Sequence, residues 1–344
     1  MEHKLWRCIE EKKTDYIPIW FMRQAGRYLP EFREIRKQNP DFIKLCLNEK
    51  LAAEISLQPI RRFDLDAVII FSDILIVPYG LGQKIEFKKG IGPILGDLNF
   101  NIILNTKPND FIEKLSPVYQ AIKRVKKDIK EKNLIGFAGS PWTLLMYMLN
   151  KESPKNNFDI SKVIKNKNLM RDLILKLEDI IFLHIKEQVK AGADIIQIFD
   201  SWAGLLPKDK LSEFCYIPTS KIVKNIKSLK TPVICFPKGI GENYIDFCAT
   251  AKPSCISIDY EVDPGWIKKK LDGMPVQGGM DPKILLGNDN EEIKKNIEKY
   301  LNTFKDYPYI FNLGHGVLPE TKPETIEYII QIIRKKNEKS GYSI

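Results

Sequence analysis

An apolar run, Pro18-Ile19-Trp20-Phe21-Met22, breaks into Arg23, Arg27 and Arg33 at spacings of four and six, and Arg36 follows three residues on. A guanidinium binds carboxylate or phosphate through a bidentate fork, and several converging forks make a site for a polyanion. Arg33 reads as paired with Glu31 and Glu34 on a solvated helix face, and Arg36 stays open between that role and anion binding. Arg23 and Arg27 stand beside aromatics, Gly and Gln without an obvious local partner, and they read as anion ligands.

A second candidate is Asp73, a carboxylate inside Ala67-Val68-Ile69-Ile70-Phe71-Ser72-Asp73-Ile74-Leu75. A helix N-cap is the competing reading, since Ser and Asp are preferred there. Apolar surroundings, however, raise a carboxyl pKa or demand a cationic partner, and both recur at functional sites. His315 lies between Gly314 and Gly316, which favours ligand contact, whereas His184 falls on an apolar helix stripe and reads as structural. Taken alone, Tyr147 reads as a core residue and Ser201 as a turn or cap residue without a Gly-x-Ser-x-Gly frame. Lys238 at a strand end suggests a Schiff-base lysine, but Pro237-Lys238-Gly239 holds no group that would lower its pKa.

These residues need a frame to bring them together. Short apolar runs at 18–21, 67–71, 134–137, 194–199, 232–236, 255–259, 275–277 and 309–312 read as strands buried on both faces. Helical periodicity at 111–131, 170–191, 211–228, 291–304 and 323–335 alternates with them. Eight strands separated by helices predict an α/β fold, a closed (β/α)8 TIM-like barrel forming a single domain over residues 1–344. An open doubly wound sheet would carry a Gly-rich dinucleotide loop after its first strand, and the sequence has none. Residues 80–109 are too long for a barrel loop and read as a hairpin-like excursion over one mouth. In a barrel the site lies where the strands end, which is where Met22-Arg23, Ser72-Asp73, Asp200-Ser201, Pro237-Lys238 and Gly314-His315 fall.

Hydrophobic and charged contents of 44% and 28% are those of a soluble globular chain. No apolar run reaches the roughly 18 residues of a membrane span, and the first residues carry no signal-peptide pattern, so the expectation is a cytoplasmic protein off the membrane. The six cysteines are scattered without a C-x-x-C, and with three histidines and no H-E-x-x-H the sequence offers little to hold a metal. The net charge of +10 is spread over helix faces without a basic-aromatic stripe, so nucleic acid is not expected as a partner.

Five stretches resemble the uroporphyrinogen decarboxylase family: 22–33, 71–75, 136–144, 199–204 and 312–316, in the family's order across nearly the whole chain. The resemblance implies a barrel that works without metal or organic cofactor, usually as a homodimer. It further implies removal of CO2 from the four acetate arms of the tetrapyrrole uroporphyrinogen III, giving coproporphyrinogen III. By resemblance Arg23 and Arg27 bind substrate carboxylates with Arg36 as helper, and Gln24, Ala25 and Gly26 complete that segment. Asp73 faces the pyrrole N–H groups as the catalytic residue. Tyr147, Ser201 and His315 contact carboxylates or the ring, and Phe137 and Phe199 pack against it. The chain departs at Gln277-Gly278-Gly279-Met280-Asp281-Pro282, where the family more often reads Q-G-N-L-D-P, which puts one loop contact in doubt.

Two other readings compete. Cobalamin-related methyltransferases share the superfamily but use zinc held by His and Cys, and the Gly314-His315-Gly316 loop has no cysteine near it. A barrel that merely captures a polyanion would need the arginines but not Asp73.

Overall fold

The structure, a computed structural model, describes residues 3–88, 90–154, 167–287 and 289–339. Its main sheet contains β1 (Ala67–Ile69), β4 (Asn133–Gly139), β5 (Ile195–Asp200), β6 (Val233–Pro237), β7 (Cys255–Ile258), β8 (Val276–Gly278) and β9 (Tyr309–Ile310), hydrogen-bonded in that order. All of these pairs are parallel, from Ala67 opposite Asn133 to Gln277 opposite Ile310. The antiparallel pair β2 (Ile85–Lys88) and β3 (Gly92–Leu95) stands apart as a hairpin.

The expected first strand, 18–21, is not a regular strand but a single parallel bridge, Ile19 to Phe311. The reason lies in what takes its backbone groups. Ile17 N–H donates to Asn337 (2.9 Å), Ile19 N–H to Asp66 (2.8 Å) and Met22 N–H to Asn312 (3.0 Å). Side chains thus replace much of a ladder that Pro18, lacking an N–H, could not complete. The segment still closes the barrel: Phe311 N–H reaches Pro18 O at 2.8 Å on one side, and Asp66 N–H reaches Ile19 O at 2.9 Å on the other. The result is a (β/α)8 barrel with seven regular strands and one irregular stave.

Alternation along the strands divides the core. Ile135, Ile195, Ile234 and Ile310 point inward and meet Leu5, Cys8 and Ile9 of the Lys4–Glu10 helix, which plugs the barrel's N-terminal end. Leu5 N–H anchors that plug on Asn133 Oδ1 at 3.1 Å. A buried polar layer crosses the interior: Trp20 Nε1 donates to Gln277 (2.8 Å), whose amide donates to Ser257 (3.2 Å) and Gln197 (3.3 Å). Two residues on from Gln197, Phe199 packs edge-on against Phe137 and Phe236, with ring centres 5.6 and 6.4 Å apart. These rings floor the C-terminal mouth.

The 80–109 excursion contains the expected hairpin, followed by a short helix, Phe100–Asn105. The Phe87 ring lies tilted against that of Phe42, centres 4.6 Å apart, and Phe42 lies 5.7 Å from Phe71 just past β1, which sets the hairpin beside the mouth. The helix expected over 211–228 is interrupted by a π-turn, Ser212–Tyr216, ahead of Pro218, whose missing N–H breaks the regular ladder. At the closing seam, Arg334 of the Pro323–Lys339 helix reaches Asp66 at 3.0 Å and Asp64 at 2.6 Å and hydrogen-bonds the Tyr16 hydroxyl. Among the described residues no helix is long and apolar enough to cross a membrane.

Candidate active site

Arg23 follows the irregular stave in a left-handed backbone conformation, φ +61°. That conformation is strained for a residue with a β-carbon and occurs where the surroundings enforce it. Here the turn is fixed by Val317 N–H on Met22 O (2.9 Å) and by Gly26, where a β-carbon would stand 2.6 Å from Arg23 O. The Arg23 side chain then runs over Gly316, beside His315. Arg23 and Arg27 are both exposed, and among the described residues neither guanidinium is ion-paired or hydrogen-bonded by its side chain. Two cations left unpartnered in one loop are free to take an anion.

Asp73 is half-buried just beyond β1. Its Oδ1 accepts from Leu75 N–H at 2.8 Å, and its carbonyl accepts from Ile76 N–H, so it does organise the turn into the Ile76–Gly80 helix. The capping and functional readings therefore coexist in one side chain. Burial pushes the carboxyl up to about 6, although the Leu75 N–H and the Arg23 charge pull it back.

Asp73 and Arg23 are close enough to act on the half-buried Tyr147: burial raises its phenol, the Asp73 charge pushes the same way, and Arg23 opposes. Burial, then the charges of Arg23 and Lys238, lowers His315 to about 3, leaving a neutral imidazole. The structure thus gathers Arg23, Asp73, Tyr147 and His315 into one electrostatic neighbourhood. Arg36 joins its edge. Burial raises the Cys46 thiol, Asp73 pushes it further and Arg36 counters, so both charged groups lie near that sulfur. The Arg36 guanidinium also stacks on Phe42 at 5.5 Å.

The other expected residues fall into three kinds. Phe137 and Phe199 are half-buried at the floor, and Ser201 follows β5 next to Trp202, whose ring lies 5.9 Å from that of Tyr147. Ala25 and Gly26 are half-buried in the Arg23 turn. Gln24 is fully buried, its amide donating to Ala67 O (3.0 Å) and accepting from Phe21 N–H (3.0 Å), so its side chain holds the turn from within. Arg33 is structural as expected but with different partners: it donates to the carbonyls of Arg27 and Tyr28, while Glu31 pairs with Arg62. His184, read as structural, shares a 3.0 Å hydrogen bond with Tyr119.

Sequence reading missed the acids that fix the mouth. Asp200 accepts from the Thr143 hydroxyl (2.7 Å), which accepts from Trp202 N–H (3.1 Å) and so sets the Ser201-Trp202 loop. Asp259 accepts from Gly239 N–H (2.7 Å) and the Tyr244 hydroxyl (3.0 Å). Their only signal was an acid at the end of each apolar run. The departure at Gly279 has a local cause: with φ +108°, a β-carbon there would meet the Tyr300 ring at 2.5 Å, and the Tyr300 hydroxyl binds Gly279 O. Among the described residues no three His, Cys, Asp or Glu side chains group to hold a metal ion.

The family model described as uroporphyrinogen decarboxylase (URO-D) matches residues 2–336. Curated relatives carrying the name uroporphyrinogen decarboxylase include one from Rickettsia bellii, 43% identical over 92% of this chain and 94% of its own length. Another, from Rickettsia felis, is 41% identical over 97% of each. Among solved structures, a methyltransferase from Methanosarcina mazei superposes with a TM-score of 0.78 at 16% identity, covering 96% of this chain and 97% of its own. A B12-independent methionine synthase from Shewanella sp. W3-18-1 gives 0.53 at 14% identity over 84% and 86%. At such identities the structural likeness speaks for the fold alone.

Proposed function

Since the chain belongs to the uroporphyrinogen decarboxylase family, carboxy-lyases of porphyrin biosynthesis, we propose that it decarboxylates all four acetate arms of uroporphyrinogen III to give coproporphyrinogen III. The observation that carries this reading is Asp73, a half-buried carboxylate within electrostatic reach of Arg23. An acetate on a pyrrole loses CO2 only when the ring can accept the electron pair, and protonation of a ring carbon makes the cationic azafulvenium that does so. Asp73 faces the pyrrole N–H groups, holds the macrocycle and stabilises the developing cation. A preorganised group of this kind contributes on the order of 3 kcal/mol.

Arg23 and Arg27 bind substrate carboxylates, with Arg36 assisting. Being always charged, they orient and stabilise rather than accept protons. Tyr147, Ser201 and neutral His315 donate or accept hydrogen bonds at the carboxylates or ring, and Phe137 and Phe199 lie against its face. The main chain of Gln24, Ala25 and Gly26 completes the arginine turn. The chain acts as one domain over residues 1–344, as a cytoplasmic homodimer that takes the tetrapyrrole as substrate and uses no cofactor.

The methyltransferase reading would seat zinc at His315. The charges of Arg23 and Lys238 bear on that imidazole and would repel a divalent cation. An assay with uroporphyrinogen under reducing conditions, followed by separation of the products, tests the proposal. Stepwise loss of CO2 ending at coproporphyrinogen supports it, and an intact, folded chain that leaves the substrate untouched contradicts it.

A further inference from the structure

Lys238 bears on His315 but has so far no ligand of its own, and the barrel places it opposite the stave that bears Arg23. Counting round the barrel, the 18–21 stave is followed by β1, β4, β5 and then β6, with β7, β8 and β9 completing the ring. β6 is therefore diametrically across the mouth from the stave that bears Arg23. Within β6, Ile234 and Phe236 point into the barrel, and Lys238 continues the same alternation past the strand's end.

Two bonds hold its backbone and a third holds the next residue. Lys238 N–H donates to Asp200 O (3.1 Å), Lys238 O accepts from Gly204 N–H (2.9 Å), and Gly239 N–H donates to Asp259 (2.7 Å). Gly204 and Gly239 press together so closely that a β-carbon on Gly204 would stand 2.6 Å from Gly239 O. The side chain is half-buried, and among the described residues its ammonium has neither ion pair nor hydrogen-bond partner. A partly desolvated cation on a fixed backbone calls for an anion from outside the chain.

Resting on the decarboxylase reading, we propose that Lys238 binds a carboxylate of the substrate on the wall opposite Arg23 and Arg27, so that the tetrapyrrole's acidic rim is gripped at two poles. A macrocycle with acidic arms all round its edge needs such a second grip, because the three arginines come from one stretch of chain.

Lys238→Met, Lys238→Arg and the exposed control Lys252→Met are to be compared with the unmodified chain. Each is assayed for turnover of uroporphyrinogen and for binding of oxidised uroporphyrin by fluorescence titration. Loss of one charge-assisted contact predicts that Lys238→Met raises KM and the uroporphyrin Kd by about tenfold or more with kcat within a few-fold. Lys238→Arg should recover most of the affinity, and Lys252→Met should change nothing. Affinity in Lys238→Met within about twofold of the unmodified chain, or equal impairment of the Met and Arg variants, overturns the proposal. If the unmodified chain binds uroporphyrin but does not decarboxylate uroporphyrinogen, the decarboxylase reading fails, and the titration alone still decides for or against Lys238. An unmodified chain that binds no uroporphyrin refutes both.

Discussion

Arg23 lies across Gly316 so closely that a β-carbon at Gly316 would fall 2.3 Å from the arginine Cδ and 2.6 Å from its Cγ. The glycine beside His315 thus serves the arginine: it leaves the channel along which the Arg23 stem reaches the mouth. Gly316→Ala should therefore displace Arg23 while sparing the barrel. Overpacking of this kind costs about 1–3 kcal/mol, so KM should rise by about tenfold with a smaller change in kcat. Steady-state kinetics with a thermal melt as control would check it; an unchanged KM removes Gly316 from the account.

Activity and stability should respond to pH in opposite senses. Burial lifts the Asp73 carboxyl from 3.8 to about 6. On the role proposed for Asp73, which requires the carboxylate, kcat/KM should fall as pH drops below about 6. Burial of the same group as a charge disfavours the fold, so its penalty applies at neutral pH and fades as pH falls through about 6 towards 3.8. Asp73→Asn, which keeps an acceptor for Leu75 N–H, should melt at or above the unmodified chain at pH 7.5, with the gap closing near pH 4.

The acid limb should not belong to His315, whose imidazole stays neutral down to about 3. His315→Asn should be slower but keep a limb near pH 6 in its kcat/KM profile. Loss of that limb in the variant would assign it to the histidine instead.

How much of this was legible in the sequence depends on the residue. Asp73 stood out because a charge inside an apolar run needs a reason, and Arg23 and Arg27 because their neighbours are aromatics, Gly and Gln rather than an obvious ionic partner. The 18–21 stave was found, but not its irregularity, because its hydrogen-bond partners Asp66, Asn312 and Asn337 come from distant sequence. The π-turn before Pro218 was hidden by an apolar period that runs through it. Arg33 was assigned the wrong partners because Glu31 is taken by Arg62 on a neighbouring helix. Lys238 looks like any lysine until the barrel closes and sets it across from the arginines.

The seam between the Pro323–Lys339 helix and the stave should dominate stability away from the site. Arg334 and Asp66 are only 8% and 6% exposed and lie 3.0 Å apart. Arg334→Met leaves buried Asp66 with only the more distant Lys4, at 3.7 Å, as a cation, so the loss should approach the roughly 3–5 kcal/mol of a broken buried pair. Urea melts should show that loss in Arg334→Met, partly recovered by adding Asp66→Asn. A midpoint unchanged in the single variant would mean that the seam contributes little.

The central claim, that one carboxylate stabilises the cationic pyrrole, is tested most directly by the turnover of uroporphyrinogen by Asp73→Asn. The purified, folded variant should bind the tetrapyrrole but form coproporphyrinogen about 10²–10³-fold more slowly than the unmodified chain, or slower still. Turnover close to the unmodified rate would contradict the role given to Asp73.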